Sequence, residues 1–345
     1  VKGTILKKEL NVLFLSRHCC IRVVKEGLAL LNAGVNVYFL QARVQNPEFM
    51  RVLPQMSFWD SEAELRDKLA GLTGFDVIHI HNEPSWIGTV AKQVRPDLPV
   101  IMDCHDLNSE RTGEHNDEED EMVAAVDGFI TPSQGYAQHI NEFYSSYKPV
   151  ETIYSLCNED FYWDRFPAGD AVPRVPGIVY EGGITADDNH PHPYRDYREV
   201  TRQLTGMGIA FHLYGANDRW NAIYQDLGAY TYPLLPYNAM LRSLSRYDWG
   251  FVGPGMTHRA FDHCMPNKLF ESMAAGIPVI VWKAQEAAEW VKKYNVGVVV
   301  NRIEDIAKLT PDMAAEHRKI VRSQKFTMEN QVGKLLKFYE QFVGA

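Results

Sequence analysis

The segment whose residue types and spacing point most clearly to chemistry is PNKLFESMAAGIPVIV, Pro266 to Val281. Pro266 suits a first helical position and Gly276 the position past a helix end, with Pro278 barring continuation, so the pattern predicts a helix of about ten residues. At about 100° per residue, Leu269, Phe270, Met273 and Ala274 share an apolar face, while Asn267, Glu271 and Ala275 share another beside Lys268. A helix start leaves backbone N–H groups unpaired and carries partial positive charge, which makes Pro266, Asn267 and Lys268 a seat for a pyrophosphate. Lys268 adds a full charge. One turn on, Glu271 can accept hydrogen bonds from two vicinal hydroxyls, as on a ribose. Taken alone, the helix is better explained by a solvated Glu and Lys on an exposed face.

Short runs rich in Val, Ile, Phe and Tyr alternate with helical-period segments along the whole chain, the pattern of parallel sheets covered by helices on both faces. In the first half the strands read Asn11 to Ser16, Val35 to Leu40, Asp76 to His81, Pro99 to Asp103, Gly128 to Thr131 and Glu151 to Tyr154. Helices are expected over Cys20 to Asn32, ended by Gly34, and over Ser133 to Phe143, with Ser133 as N-cap. The alternation breaks at DRFPAGDAVPRVP, Asp164 to Pro176, and resumes with strands at Gly177 to Glu181, Ala210 to Tyr214, Thr231 to Leu235, Trp249 to Val252, Pro278 to Trp282 and Val296 to Val300. A last helical stretch, about Thr327 to Phe342, is followed by no strand. Two domains are therefore expected, 1–163 and 175–323, with 324–345 free to cross elsewhere; a length of 345 residues fits two domains better than one.

Ligands of such sheets bind beyond the carboxyl ends of the strands. That rule singles out Arg17 and His18, His81 and Asn82, His105 and Asp106, Gly182 and Gly183, Gly215, and Gly253 to Gly255, although turns alone also favour glycine and polar residues. Trp86, just past the His81 strand, is the best placed of the tryptophans to stack on a sugar.

Composition narrows the partners. The net charge of −9 argues against wrapping nucleic acid and makes an anionic ligand depend on a local positive patch, from Lys268, Arg259, Arg17 or Arg195. No run approaches the ~18 uninterrupted apolar residues of a membrane span, which leaves peripheral membrane contact open, and the charged Val1 to Leu10 is no signal sequence; a cytoplasmic protein is expected. The 5 cysteines are scattered without metal-ligand rhythm and read as reduced thiols. His190 and His192 with Asp187 and Asp188 form the one metal-like cluster, but a histidine-rich turn before a helix is more often solvated, so neither metal nor cofactor is expected.

The Pro266 to Val281 segment closely resembles the signature of the family-4 retaining glycosyltransferases of GT-B fold. The resemblance extends to Leu13 to Gly34 with Arg22 and Glu26, FDVIHIHN (Phe75 to Asn82), MDCHDLNSE (Met102 to Glu110), DGFITPS (Asp127 to Ser133), Tyr180 to Gly183 and His212 to Gly215, in the family's order. It implies two Rossmann-like parallel-sheet domains facing a central cleft, with the C-terminal helix returning to the N-terminal domain. It implies that the second domain holds a nucleotide-sugar and the first an acceptor: a glycan, a lipid-linked molecule or a small molecule.

Carried over by that resemblance, Glu271 matches the ribose-binding glutamate and His105 the histidine against the donor sugar. Gly182 and Gly183 match the loop near the phosphates, and Tyr214, Gly215, Leu234, Leu235 and Pro236 the base contacts. His263 and Met265 precede Pro266 and Asn267 on the donor side, while Arg17, His18, His81, Asn82, Trp86 and Asp106 fall on the acceptor side. Catalytic weight is expected on His105, Lys268 and Glu271. Two departures stand out: the family's upstream glutamate is His263 here, and the first loop reads SRHCC, Ser16 to Cys20, in place of a Gly-Gly pair. The reading is a metal-independent, retaining glycosyltransferase. The competing readings are a nucleotide-sugar epimerase or hydrolase of the same fold, or a non-catalytic binding protein.

Overall fold

The structure, a computed structural model, describes residues 9–42, 56–82, 84–166, 173–215 and 218–343. The chain forms two compact units, residues 1–158 with 327–345, and residues 159–326.

The first unit is a sheet of β1 (Asn11–Ser16), β2 (Asn36–Ala42), β3 (Met56–Trp59), β4 (Val77–His81), β5 (Val100–Asp103), β6 (Gly128–Thr131) and β7 (Val150–Thr152). Its order is β3-β2-β1-β4-β5-β6-β7, and every pairing is parallel. The strands are apolar on successive residues because helices cover both faces. Helix α1 (Ile21–Asn32) follows β1 and stops before Gly34, whose φ of +84° only glycine adopts without strain. The strand Met56–Trp59 is absent from the sequence reading: its four residues are too few to show a period of their own.

Four further helices, α2 (Glu62–Gly71), α3 (Trp86–Val94), α4 (Asn108–Thr112) and α5 (Asp117–Ala125), precede β6, and α6 (Gln134–Phe143) follows it. Ser133 caps α6 as expected, its hydroxyl accepting from Tyr136 N–H. The second unit contains β8 (Val175–Glu181), α7 (Arg198–Gly206), β9 (Phe211–Tyr214), α8 (Asp218–Asp226), β10 (Tyr230–Tyr232), α9 (Tyr237–Leu244), β11 (Tyr247–Val252), α10 (Asn267–Ala274), β12 (Val279–Trp282), α11 (Gln285–Tyr294), β13 (Gly297–Val300) and α12 (Pro311–Ser323). Its sheet order is β10-β9-β8-β11-β12-β13, again parallel. Strand β10 ends at Tyr232 rather than Leu235 because Pro233, lacking an N–H, cannot extend the ladder.

The terminal helix α13 (Met328–Glu340) opens with a capping box between Thr327 and Asn330 and lies in the first unit. Its Met328, Leu335, Phe338 and Tyr339 join Phe14, Val24 and Leu30 in one core, so the helix does return to the N-terminal unit. The chain passes between units at Asn158–Glu159 and Phe326–Thr327, earlier than the Asp164 to Pro176 stretch, whose middle lies outside the described residues. The reason is local: the Tyr162 hydroxyl donates to the Phe326 carbonyl and Arg322 lies 4.6 Å over the Trp163 ring, so the two ends of the second unit hold each other.

Strand order reverses once in each sheet, at β1/β4 and at β8/β11. Loops leaving these strands diverge and open a crevice at the carboxyl ends. Arg17, His18 and Asn82 lie at the first; Gly182, Gly183 and Gly253 lie at the second.

Candidate functional site

In the second unit the loop after β8 is built for close approach. Gly182 has φ +129° and its N–H donates to the Tyr214 carbonyl at 3.1 Å. A Cβ at Gly182 would stand 2.8 Å from Lys268 Nζ, and one at Gly183 would stand 3.0 Å from Arg195 Nη1. Gly215, at φ +104°, packs its backbone on Gly182, where a Cβ would come within 2.5 Å of the Gly182 carbonyl oxygen. Two cations therefore flank a glycine turn at the strand-order reversal. Arg195 was one of four candidates for the positive patch; the bridge between Thr185 and Asp196 folds its loop back on the turn.

Lys268 lies in the first turn of α10, half buried, with Nζ 5.0 Å above the Tyr180 ring. Burial works against its charge, but Tyr180, Glu181 and Glu271 together push its pKa up, while Arg195 opposes them. Lys268 is thus an ammonium held beside a second cation, an arrangement that favours an anion between or across them. Pro266 is the N-cap of α10 rather than its first residue. The helix is therefore shorter than expected, and Asn267 is its first residue.

Glu271 corrects a second expectation. It was placed on a face available to solvent, but it is 4% exposed, and Ala275 is fully buried. Helical phase is right; the face that phase leaves uncovered within the helix is covered by the rest of the unit. Glu271 is a buried carboxylate that reaches Lys268 electrostatically.

Among the base-side residues, the Tyr214 side chain is turned inward: its ring stacks on Tyr232 at 4.6 Å and its hydroxyl meets that of Tyr247 at 2.9 Å. Its part at the turn is played by its carbonyl. Leu234 is 75% exposed and Pro236 is also exposed, an apolar surface just beyond the sheet edge. His263 is half exposed and Met265 buried, both between the turn Arg259–Phe261 and α10.

The first unit holds a polar network that the sequence reading did not assemble. Arg22 grips Asp103 with two hydrogen bonds, 2.8 and 3.0 Å, and pairs with Glu26 at 2.9 Å. His81 Nδ1 lies 3.3 Å from Asp103, and His105 Nε2 lies 3.0 Å from the same carboxylate oxygen. His105 Nδ1 faces Cys20 Sγ at 3.6 Å. His79 stacks on His81 at 4.2 Å and bonds the Tyr339 hydroxyl of α13 at 2.6 Å, tying the terminal helix to the network.

These charges sort themselves. Burial would raise Asp103, but Arg22 and His105 hold its carboxyl well below the usual range. Glu26, with burial dominant over Arg22, is pushed well above it. Burial lowers His79 and His81 toward the neutral ring. His105 goes the other way: burial opposes its charge, yet Asp103 and Cys20 raise it to about 10, so the ring is an imidazolium at neutral pH. Both its ring nitrogens are engaged, which makes it a source of positive charge rather than a free proton shuttle. Glu26, His79, His81 and Asp103 bring ligand-type atoms within 4.8 Å of one another, but the Arg22 guanidinium already serves as the cation there.

In the first unit, Arg17, His18, Asn82, Ser85, Asn108 and Glu118 line a polar hollow of about 390 Å³. Asn82 sits at φ +60°, a conformation a non-glycine residue adopts only when its surroundings require it, and its buried Oδ1 has no hydrogen-bond partner among the described residues. Burial and then Arg17 lower the pKa of His18. Three expectations change. His81 is 1% exposed, inside the network and not on a surface. Trp86 packs edge-on against Trp59 at 5.8 Å, and its backbone N–H donates to Glu118 Oε1 at 3.2 Å. Asp106 is exposed, next to His105 but not lining the hollow.

The cluster weighed for a metal is taken up locally. Asp188 pairs with Arg198, Asp187 accepts from Asn189 N–H at 3.0 Å, and His190 accepts from His192 N–H at 3.0 Å. Asp103 was the residue most open to earlier detection: it ends a buried strand two positions before His105.

Two Rossmann-like parallel units, the second with a glycine turn at its strand-order reversal, are the architecture of the GT-B class. A profile described as Glycosyltransferase Family 4 matches residues 29–160, and one described as Glucosyltransferase 3-like, C-terminal domain, matches residues 198–335. The chain is a GT-B-fold glycosyltransferase resembling the family-4 enzymes. Comparison with curated protein sequences gives no match.

Solved structures agree on the fold. A glycosyltransferase from Rickettsia africae superposes with TM-score 0.68 at 14% identity, over 97% of this chain and 99% of that one. Sucrose-phosphate synthase from Thermosynechococcus elongatus gives 0.69 at 15% identity, over 96% and 99%. An alpha-glucosyltransferase in complex with UDP-glucose and DNA containing an abasic site gives 0.70 at 11% identity, over 96% and 100%. Among the described residues, no helix is long and apolar enough to cross a membrane.

Proposed function

We propose that the chain transfers a sugar from a nucleoside diphosphate sugar to a hydroxylated, polar acceptor, with retention of configuration and without a metal ion. The observation that carries the reading is the pair of cations, Lys268 and Arg195, on the Gly182–Gly183 turn. As the glycosidic bond loosens, negative charge grows on the departing diphosphate. Preorganised ammonium and guanidinium groups with the backbone N–H groups of a glycine turn stabilise that charge without reorganising. The leaving phosphate is then the base that takes the acceptor proton.

The remaining assignments follow the same division of labour. Glu271, buried beside Lys268, accepts from ribose hydroxyls, and Leu234 and Pro236 offer the base an apolar surface. The first unit supplies the acceptor hollow, whose amide and charged lining suits hydroxyl groups rather than an apolar chain. Its His105 contributes positive charge. The net charge of −9 supports a small or glycan acceptor over nucleic acid, although one structural relative was captured with DNA.

Calorimetric titration with nucleoside diphosphates of different bases tests the donor half, with UDP first because a structural relative holds UDP-glucose. A single nucleotide binding at micromolar level, and turnover of its sugar conjugates surviving a chelator, is the expected result. Failure of every nucleoside diphosphate to bind would overturn the reading.

A further inference from the structure

We propose that Cys20 is a modification site: a thiol seated against the His105 ring, reached by small electrophiles, with hydroperoxides as the class of oxidant it takes. Three independent features of the first unit converge on it. Cys20 is the N-cap of α1, a helix of 12 residues whose positive end favours an anion there. Its sulfur lies 3.6 Å from His105 Nδ1. The opposite ring nitrogen is fixed at 3.0 Å from Asp103, which Arg22 in turn clamps with two hydrogen bonds, so the imidazole is oriented and kept charged by a buried carboxylate.

Access and contrast with the other thiols complete the case. Cys20 is partly exposed, whereas Cys104 and Cys157 are buried. Burial disfavours the Cys20 thiolate but His105 outweighs it and lowers the pKa; burial and the Cys20 charge push neighbouring Cys19 up to about 12. Charged and titratable groups from several elements surround the pair, beginning with Cys19 and Cys104 beside it in the chain. Arg22 and Glu26 lie on α1, His79 and His81 on β4, and Asp103 and His105 at the end of β5, with Tyr339 from α13 on the far side of His79.

The step is an ordinary two-electron oxidation. A sulfur lone pair forms the S–O bond, the O–O bond breaks, and the hydroxide that leaves takes a proton from solvent. Cysteine is oxidised to sulfenic acid and the peroxide reduced to water. The departing negative charge removes a partner from His105, so the modification registers on the charged network itself.

The test uses the full chain without nucleotide, so its outcome is independent of whether sugar transfer is found. Iodoacetamide labelling with peptide mapping is followed from pH 6 to 8, and hydrogen peroxide treatment is followed by dimedone trapping. An ordinary thiol, with pKa about 8.5, labels roughly tenfold faster per pH unit in this range, whereas the Cys20 rate should rise less steeply with pH. At pH 6 it should label faster than Cys19 and Cys264, by less than its thiolate fraction alone would give because nucleophilicity falls with pKa. Dimedone should map to Cys20, and His105→Gln, checked for folding by thermal melting, should restore the ordinary pH slope. A tenfold-per-unit slope at Cys20 in the wild type, faster labelling of Cys264, or no dimedone adduct would each overturn the proposal, and these need no variant.

Discussion

Lys268→Met removes the charge of the residue that Gly182 admits while preserving most of its length. The methionine side chain can still lie over Tyr180, where Lys268 Nζ stands 5.0 Å from the ring centroid, so packing changes little. What is lost is one charged hydrogen bond to a diphosphate, worth about 1.5 to 3 kcal/mol. That corresponds to a dissociation constant raised roughly 10- to 150-fold. The cost to unliganded stability is smaller, because two effects of Lys268 oppose each other: it neutralises Glu181 and Glu271, and it repels Arg195. We expect a change of about 1 kcal/mol. Calorimetric titration should compare UDP, or whichever nucleoside diphosphate binds best, with the corresponding nucleoside, alongside urea melts of both proteins. Diphosphate affinity should fall while nucleoside affinity holds, since the charge acts on phosphate alone. Equal loss for both ligands, or a diphosphate change under about threefold, would refute the cation-flanked turn as the phosphate site.

Gly182→Ala should cost the second unit about 1 to 3 kcal/mol, from a φ of +129° that L residues rarely adopt and a Cβ 2.8 Å from Lys268 Nζ; unchanged urea midpoints would show the turn to be less constrained. Because Glu271 is buried, Glu271→Ala should lower unliganded stability by about 1 to 3 kcal/mol as well as weaken nucleotide binding, whereas loss of binding alone would return the residue to an exposed face. His105 has a pKa near 10 in the folded chain against an ordinary 6.5, so the stability its charge contributes is fully present below about pH 6.5 and is lost as pH rises through 10. The stability gap between wild type and His105→Gln, from urea melts, should therefore shrink over that window; a constant gap would mean the ring's charge contributes nothing. Arg22→Met strands Asp103 in the interior and should cost about 3 to 5 kcal/mol by the same melts, unless the carboxyl takes up a proton at neutral pH, which infrared spectroscopy would detect.

Periodicity was enough to locate six strands in each unit along the chain, all but Met56–Trp59, and to place α10, because a buried parallel strand must be apolar on both faces and a helix stop must be written in Gly276 and Pro278. The same local rules put Gly182, Gly183 and Lys268 at strand and helix ends, with Arg195 one of four cations open for the positive patch. They say nothing about distance. That Arg195 rather than Arg259 meets the glycine turn depends on how the Thr185 to Asp196 loop folds back. That Glu271 and His81 are buried depends on neighbours far away in sequence, since helical phase defines a face but not what covers it. Arg22, Asp103 and His105 become one network through an 81-residue separation closed by strand order, and His79 gains Tyr339 across 260 residues only because the last helix returns to the first unit. Residue type and period are local properties that sequence carries by itself; the carboxylate and sulfur contacts that outweigh burial and make His105 an imidazolium exist only once the sheet has brought those side chains together.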